Sequence, residues 1–442
     1  MDTWQLPTDL VLWIADLATA LHGRLAFRLP LLLTGLFFAR GRRTVTSWLR
    51  AAGLSKDYKN YYYFLGSLGR NIKWVGGRLL AKLRHLPGAG ERLLLAVDDS
   101  PTQRYGPCVE GAGLHHNPTP GPAAQKLLYG HVWVTVALVV RHALWGSIGL
   151  PLWALLYVRR KDIEPLRKRY RVPFRTKLEL AAQLVDWAVA WLKNLGKAVW
   201  VVADGAYAKR PFLQRVLALG VILVSRLRKD AALWSLPKPK PAGRRGPQAR
   251  YGAAALDLAK RAGHKGGWQR GSFRLYGKET QKKYKTFLAT YKPVGGVIRV
   301  VLVQERKSWV AFFCTQAEAT VGEVLEAYAD RAALEQVFHD VKEVHGAGQQ
   351  QLRNYWANVG AFNLTLWSHS LLELWGWEQE QKRLADRSGS PWDKRERRPS
   401  HGDRLKALRR ECLEKEIPQA KGSGSKNRRW KKLCKLLIQL AL

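Results

Sequence analysis

The chain has 442 residues, 47% of them hydrophobic, which is enough apolar material for two or three domains and too much for a disordered polymer. Its 74 Lys and Arg stand against 34 Asp and Glu, a net charge of +40. A compact body so charged repels itself unless a polyanion neutralises it, and nucleic acid meets that need. An anionic membrane does not, because the basic residues are spread along the whole chain instead of clustering beside one lipid-inserting helix.

The four cysteines, Cys108, Cys314, Cys412 and Cys434, have no close pair spacing. Neither a zinc ribbon nor a redox pair is expected, which fits a reducing cytosol. The start, Met1 to Asp16, has no basic run and does not read as a signal peptide. The most apolar stretch, Val132 to Val158, is interrupted by Arg141, His142, Gly146 and Pro151. It reads as two strands joined by a turn and not as a membrane helix.

In chain order, residues 1–88 read as helical. Thr44 is placed to cap a short helix ending before Gly53, and a second helix starts near Lys56. The basic run Arg40 to Arg43 precedes them, with Arg42 and Arg43 as candidate DNA contacts. The pair fits a helix-turn-helix and equally an ordinary helical hairpin with a solvated basic face. Leu93 to Val97 is then a short buried strand that delivers Asp98 and Asp99 at its C-terminal end. A Gly- and Pro-rich loop follows, with His115 and His116 in it. Strands are expected near 130–140 and 146–158, a basic loop over 159–171, and an amphipathic helix over 175–195. Ala198 to Ala203 is a second buried strand, ending in Asp204 and Gly205. A helix near 209–219 and a strand near 221–225 close this part.

Composition shifts after 225. Pro- and Lys-rich residues 237–241, followed by Arg244 and Arg245, read as a flexible basic loop that contacts DNA backbone. Short strands are expected near 271–277, 284–292, 296–305 and 308–314. A long helix begins near Thr320, and the end of the chain is helical and basic, with residues 421–432 as a mobile tail. The fold class that results is α/β, a mixed sheet with helices against its faces.

The chemistry concentrates in carboxylates. Ligands of open α/β sheets gather outside the C-terminal ends of strands. If the strand leading to Asp99 lies beside the strand leading to Asp204, two carboxylates converge and repel, and a divalent cation relieves the repulsion. On the helix from Tyr328 to Lys342, roughly 100° per residue puts Tyr328, Arg331, Glu335 and Lys342 on one side. Ala333, Leu334, Val337, Val341 and Val344 fall on the opposite, apolar side. A metal-binding acid flanked by Arg and Lys for phosphate is what a phosphodiester site needs.

Tyr-x2-Arg-x3-Glu-x6-Lys, matched at Tyr328, Arg331, Glu335 and Lys342, resembles the signature of bacterial insertion-sequence transposases of the DDE superfamily. Asp98-Asp99-Ser100 fills the place of that group's Asp-Asp-Thr or Glu-Asp-Thr, with Ser for Thr, and Asp204 to Tyr207 fits its Asp-x-x-Tyr. The resemblance runs from about Arg92 to Gly376. It implies a ribonuclease-H-like catalytic domain with a β-rich insertion and helical flanks. The expected division is 1–88 helical and DNA-binding, 89–225 and 316–376 catalytic, 226–315 the insertion, and 377–442 a basic helical end. It also implies Asp99, Asp204 and Glu335 as catalytic metal ligands for two Mg²⁺ ions, with Mn²⁺ as a substitute. Tyr328, Arg331 and Lys342 become DNA contacts. The implied enzyme binds the ends of an insertion sequence, cuts there by two-metal phosphoryl transfer and joins the 3′ ends to double-stranded target DNA. A homodimer would pair two ends in the bacterial cytoplasm, at the nucleoid. The alternatives are a nuclease of the same fold without strand transfer, or a non-catalytic DNA-binding descendant.

Other readings stand beside these. Adjacent strand residues point to opposite faces, so only one of Asp98 and Asp99 can face the site; the motif match favours Asp99. His115 and His116 read as loop residues before metal ligands, and His131 as a packed strand residue. The basic runs 159–171 and 226–245 are either solvated surface or DNA contacts, and the +40 charge favours the second. Trp268, in the insertion, is a candidate to stack on an extruded base, although core packing is the commoner use of Trp.

Overall fold

The computed structural model describes residues 4–86, 92–117, 126–240, 245–385, 387, 390, 392–394, 396–421, 430, 433, 434 and 437. Five helices come first: α1 (Thr8–Ala18), α2 (Gly23–Ala26), α3 (Arg28–Phe38), α4 (Val45–Ala51) and α5 (Tyr58–Leu83). Thr44 caps α4 by accepting from the Ser47 amide, as its sequence position suggests. Then come β1 (Arg92–Gln103), β2 (Gly113–His116), β3 (Leu127–His142) and β4 (Gly146–Tyr157). Helices α6 (Glu164–Tyr170) and α7 (Lys177–Leu192), strand β5 (Ala198–Ala203), helix α8 (Arg210–Leu217) and strand β6 (Ile222–Leu227) follow.

Two short strands, β7 (Leu233–Trp234) and β8 (Ala255–Leu256), and helix α9 (Leu258–Gly263) precede four longer strands. These are β9 (Gln269–Leu275), β10 (Lys278–Tyr291), β11 (Gly296–Gln304) and β12 (Trp309–Cys314). The chain ends in α10 (Val321–Asp330), α11 (Ala332–Glu343), α12 (Tyr355–Trp375), α13 (Gln381–Leu384) and α14 (His401–Lys421). No helix among the described residues is long and apolar enough to cross a membrane, and the apolar stretch 132–158 is the β3–β4 pair.

All twelve strands form one sheet, in the order β2-β3-β1-β5-β6-β12-β11-β10-β7-β8, with β4 also on β3 and β9 on β10. The β1–β5 and β5–β6 pairs are parallel and the rest antiparallel. Val132 to Val140 of β3 is almost unbroken apolar sequence because it is covered on both faces, and it is buried throughout. Helices α10 and α11 pack on one side of the sheet, and α7 packs with α8 on the other.

The strands after 226 do not form a layer of their own. β12 pairs with β6 from Ala311 opposite Leu227 to Cys314 opposite Val224, so the expected boundary at 225–226 falls inside β6. The period-two pattern identifies such strands but carries no information on which edge they join.

Helix α12 is buried all round because it serves the edge of the sheet as well as the core. β4 has an open side, whose backbone groups need partners. Asn363 supplies both kinds: its Oδ1 accepts from the Ala154 amide at 2.8 Å and its Nδ2 donates to the Ala154 carbonyl at 3.0 Å. Trp367 Nε1 donates to the Leu152 carbonyl and Ser370 Oγ to the Pro151 carbonyl, each at 2.7 Å. On its other side α12 crosses α5 at two glycines. A Cβ on Gly360 would stand 2.2 Å from the Leu65 carbonyl oxygen, and one on Gly69 would stand 2.0 Å from that of Trp356. This places one side of α5 in the core.

Gly360→Ala should therefore lower stability by about 2–3 kcal/mol, since neither backbone can move without losing the contacts of α12 with β4. Thermal unfolding checks this, with Gly23→Ala as the control because a Cβ there meets nothing within 4 Å. An unchanged midpoint for Gly360→Ala would show that the helices separate freely.

Candidate active site

The parallel β1–β5 pairing ends with Val97 opposite Ala203, while β3 continues beside β1 as far as Gln103. Strand β1 thus runs on past the expected end of its apolar run, and Asp98 and Asp99 lie just where its parallel neighbour stops. That is the crevice where open sheets gather ligands.

The pleat turns the two aspartates apart. Asp98 and Ser100 face α11: Arg331 Nη1 donates to Asp98 Oδ2 at 2.5 Å, and Lys342 Nζ donates to Ser100 Oγ at 2.6 Å. Asp99 faces the α7 side, accepting from Lys177 Nζ at 2.6 Å and from the Tyr207 hydroxyl at 2.7 Å. Lys177 is the first residue of α7, set there by the reciprocal Thr176–Glu179 cap. Tyr207 closes a single 3-10 turn, Gly205–Tyr207, whose N-cap is Asp204.

Asp204 follows the last residue of β5. Its Oδ2 accepts from the Ala206 amide at 3.3 Å, and its Oδ1 is 3.4 Å from the Tyr328 hydroxyl. Glu335 comes from α11 and is more than half exposed. The sequence suggests one helix from Thr320 through Lys342; the structure divides it at Arg331 into α10 and α11. The divide is held from outside. Arg141 of β3 binds Glu326 and Asp330, both at 2.9 Å, and Ser147 Oγ donates to Asp330 Oδ1 at 2.5 Å. Gly149 of β4 admits α11, since a Cβ there would stand 2.9 Å from the Ala333 carbonyl oxygen.

Arg331 is only 13% exposed and bridges two acids, Asp98 and Glu335, the latter at 2.6 Å. It lines the cavity with these acids, its guanidinium paired with two carboxylates. Asp98, Asp99, Asp204, Glu335, Lys342 and Arg42 all line one cavity of about 1650 Å³. Arg42, exposed in the turn before α4, is the N-terminal residue that the fold brings to the acids. Arg43 turns inward, its amide donating to Gln349 Oε1 at 2.8 Å. Arg245 is exposed on the loop after β7, and Arg244 lies outside the described residues, as does most of 421–442.

Several bland readings describe their residues well. His131 is fully buried, with Nε2 3.0 Å from the Glu110 carbonyl oxygen and Nδ1 accepting from Arg104 Nε. His115 and His116 are not loop residues as expected but belong to strand β2; His115 is buried there, and burial first, then Arg159 and Lys177, push its pKa down to about 4. Trp268 packs against the core with the Lys285 ammonium 4.8 Å from its ring centroid. Residues 159–171, expected as a loop, instead form a 3-10 turn and helix α6, and Arg159 and Arg169 in them pair with Asp162 and Glu110.

Electrostatically the site is a crowd of acids. Burial pushes the Asp98 carboxyl up to about 7; Arg331 opposes this, and Asp99 and Asp204 add to it. Burial, with Asp99 next to it, holds the Tyr207 phenol well above its ordinary value, so it stays a hydrogen-bond donor. Burial lowers Lys342. The residues present fit divalent cations on two observations. The donors are hard carboxylate oxygens, the kind Mg²⁺ and Mn²⁺ take. Asp98 and Glu335 both bind the Arg331 guanidinium, a cation standing where a metal ion would bridge the two carboxyls.

Sequence reading missed Lys177, which nothing but the helix cap would have suggested, and it missed a second group. Asp340, His369 and His401 are buried with ligand atoms all within 4.8 Å of one another, and no other such group of three is found among the described residues.

A family model described as DDE superfamily endonuclease matches residues 16–275. The matched span contains Asp98, Asp99 and Asp204 and ends before Glu335. No protein in the curated collection matches the chain. Such enzymes are metal-dependent and of nuclease or transposase type, which agrees with carboxylates gathered in a cavity at the end of parallel strands. With more than half of its length inside the match, the chain belongs to the DDE superfamily endonuclease family.

Proposed function

We propose that this protein is a bacterial insertion-sequence transposase: it binds element ends, cuts there and joins the 3′ ends to target DNA. The observation that carries the reading is the meeting of Asp204, Glu335 and the Asp98–Asp99 pair with Arg42 and Lys342 in one cavity. The strand order β4-β3-β1-β5-β6, antiparallel then parallel, supports a ribonuclease-H-like core. In this reading 89–225 and 316–376 make that core, 226–315 extends its sheet, and 1–88 and 377–442 flank it. Pairing of two ends by a homodimer, and a cytoplasmic site at the nucleoid, rest on the resemblance to insertion-sequence transposases alone.

Asp204 and Glu335 would hold two Mg²⁺ ions, or Mn²⁺, together with one of the strand pair. The motif match favours Asp99; orientation towards Glu335 favours Asp98, and the proposal takes Asp98 on that ground. The ions supply activation of water or a 3′ hydroxyl and stabilisation of the leaving oxygen. Arg331 orients Asp98 and Glu335 and keeps their charges balanced until substrate enters. Tyr328 steadies Asp204, and Tyr207 and Lys177 fix Asp99. Lys342 and Arg42, which both line the cavity, hold phosphates of the strand to be cut, and Arg245 on its exposed loop adds a further phosphate contact. The family description fits equally an endonuclease that cuts without joining.

Asp98→Ala, Asp204→Ala and Glu335→Ala should each reduce Mg²⁺-dependent cutting of end DNA by at least about a hundredfold while gel-shift binding persists. Asp99→Ala should keep part of the activity. A dead Asp99 variant beside an active Asp98 variant would reverse the choice between them. Nicking without joined products would assign a nuclease, and binding without cutting a non-catalytic binder.

Asp98 also makes the fold sensitive to pH. An acid whose folded pKa is raised keeps its proton up to about 7, whereas the unfolded chain loses it near its ordinary value. Stability is thus present at low pH and lost as pH rises towards 7. Asp98→Asn should gain on the wild type by on the order of 1 kcal/mol between pH 5 and pH 8 in paired thermal melts. A constant difference across that window would mean that Arg331 keeps Asp98 ionised throughout.

DNA affinity should fall steeply with salt. Each duplex phosphate neutralised adds about −0.9 to the log–log slope, and a +40 chain should contact several. A slope near zero would contradict a backbone-dominated interface.

A further inference from the structure

The cavity that holds the acids adjoins a second one, of about 320 Å³. Arg42, Tyr105, Gly348 and Gln351 line both, whereas Arg104, Cys108 and Arg353 line the second alone. No acidic residue lines it among the described residues. Arg42 and Arg353 are exposed, and neither pairs with a carboxylate among the described residues.

Arg104 is the more telling cation. It is only 5% exposed, and burial lowers its guanidinium to about 10, so it is still charged at neutral pH. The other two buried arginines among the described residues each meet an acid: Arg387 meets Asp393, and Arg404 meets Glu373. Arg104 meets none. Its Nε donates to His131 Nδ1 at 3.1 Å and its Nη1 to the Gly348 carbonyl at 2.7 Å, while Nη2 has no partner. Glu110, the acid in the neighbouring loop, is engaged elsewhere, by Arg169, the Tyr170 hydroxyl and the Tyr355 amide. A buried charge without a counter-charge is costly, and an anion brought by a ligand removes that cost.

The guanidinium is also held in place. His131 Nε2 bonds the Glu110 carbonyl, which leaves Nδ1 as the acceptor for Arg104. Gly348 presents its carbonyl from a backbone φ of 105°, which glycine alone adopts without strain. Planar paired donors of this kind suit phosphate. Arg104 follows Asp99 by five residues at the end of β1, roughly 17 Å at about 3.3 Å per residue, a span of about five stacked nucleotides.

We propose that the second cavity is a subsite for a backbone phosphate of the bound DNA strand, held by Arg104 and Arg353, several nucleotides from the phosphate at the acids. Tyr105, 69% exposed on the shared wall, offers its ring to a neighbouring base. The subsite rests on the reading that DNA occupies the first cavity.

Cys108 supplies a reporter, since it is exposed and lines this cavity, whereas Cys314 and Cys412 are buried. Full-length protein is treated with iodoacetamide, and alkylation of Cys108 is followed by mass spectrometry of its peptide. Oligothymidylate should protect Cys108, and its uncharged methylphosphonate analogue should not. Arg353→Ala, a change at an exposed side chain, should raise the oligothymidylate concentration for half protection by about tenfold or more, the worth of one charge-assisted bond. Arg104→Lys, which loses the paired donors, should shift it in the same direction. Lys265→Ala removes an exposed charge outside both cavities and should shift it far less. Absence of protection in the wild type would overturn the subsite. So would equal protection by the methylphosphonate, an unchanged concentration in either folded variant, or an equal shift in Lys265→Ala. Arg353→Ala decides alone if Arg104→Lys does not fold. Mg²⁺-dependent cutting enters none of these readouts, so loss of the subsite leaves the transposase reading standing, and a protein that binds DNA without cutting it still shows protection.

Discussion

Parallel pairing of β1 with β5 stops at Val97 and Ala203, and the chemistry of the molecule is arranged around that stop. Had β5 run two residues further, Asp204 would be a ladder residue and Asp98 and Asp99 would lie beside a paired strand. Because it stops, Asp204 becomes the cap of a turn, and the aspartates of β1 keep a neighbour on the β3 side only. The three aspartates are therefore half-buried in the wall of a cavity at the edge of a largely apolar core. Rigid placement at the mouth of a buried sheet is how a fold forces like charges together without unfolding to escape them.

The third acid depends on a longer chain of contacts. Glu335 sits over β1 only because α11 lies against β4, at Gly149, and α11 lies there because α10 is pinned at its end by Arg141 and Ser147. β4 in turn is an edge strand that α12 completes through Asn363, Trp367 and Ser370. So the helix that carries Glu335 rests on a strand whose free backbone groups are satisfied by a helix from the far end of the chain. The packed glycines Gly69 and Gly360 carry that support on to α5. Polar side chains that pair with backbone, buried at each of these joints, tolerate little displacement.

Arg331 shows how closely structure and charge are coupled here. On a free helix it would be a cation ready for phosphate. In the fold it lies in the crook between α10 and α11, bound to Asp98 and Glu335. Its guanidinium offers planar, paired donors that suit two carboxylates at once, which a lysine would not. Lys342, by contrast, reaches the same wall by a single bond to Ser100 and remains the more adaptable charge.

Much of this was legible in the sequence. Apolar runs at Leu93–Val97 and Ala198–Ala203, each followed by Asp, identify two buried strands with acids at their ends, because only a doubly covered strand is apolar at every position. The spacing of Tyr328, Arg331, Glu335 and Lys342 identifies a helix face. The strands after residue 270 are visible from alternation and turn residues. Tertiary structure decided the rest. Pleat phase relative to α11 turns Asp98, and not Asp99, towards Glu335, and one sequence cannot fix that phase until the helix has docked. Edge pairing joins β12 to β6 and merges the expected insertion with the main sheet. The break at Arg331 comes from Arg141 and Ser147, far away in the chain. Asp340, His369 and His401 are separated by dozens of residues and meet only when three helices pack, so no spacing in the sequence could announce them. Local pattern sets which groups lie on a surface; packing of distant surfaces sets which groups meet.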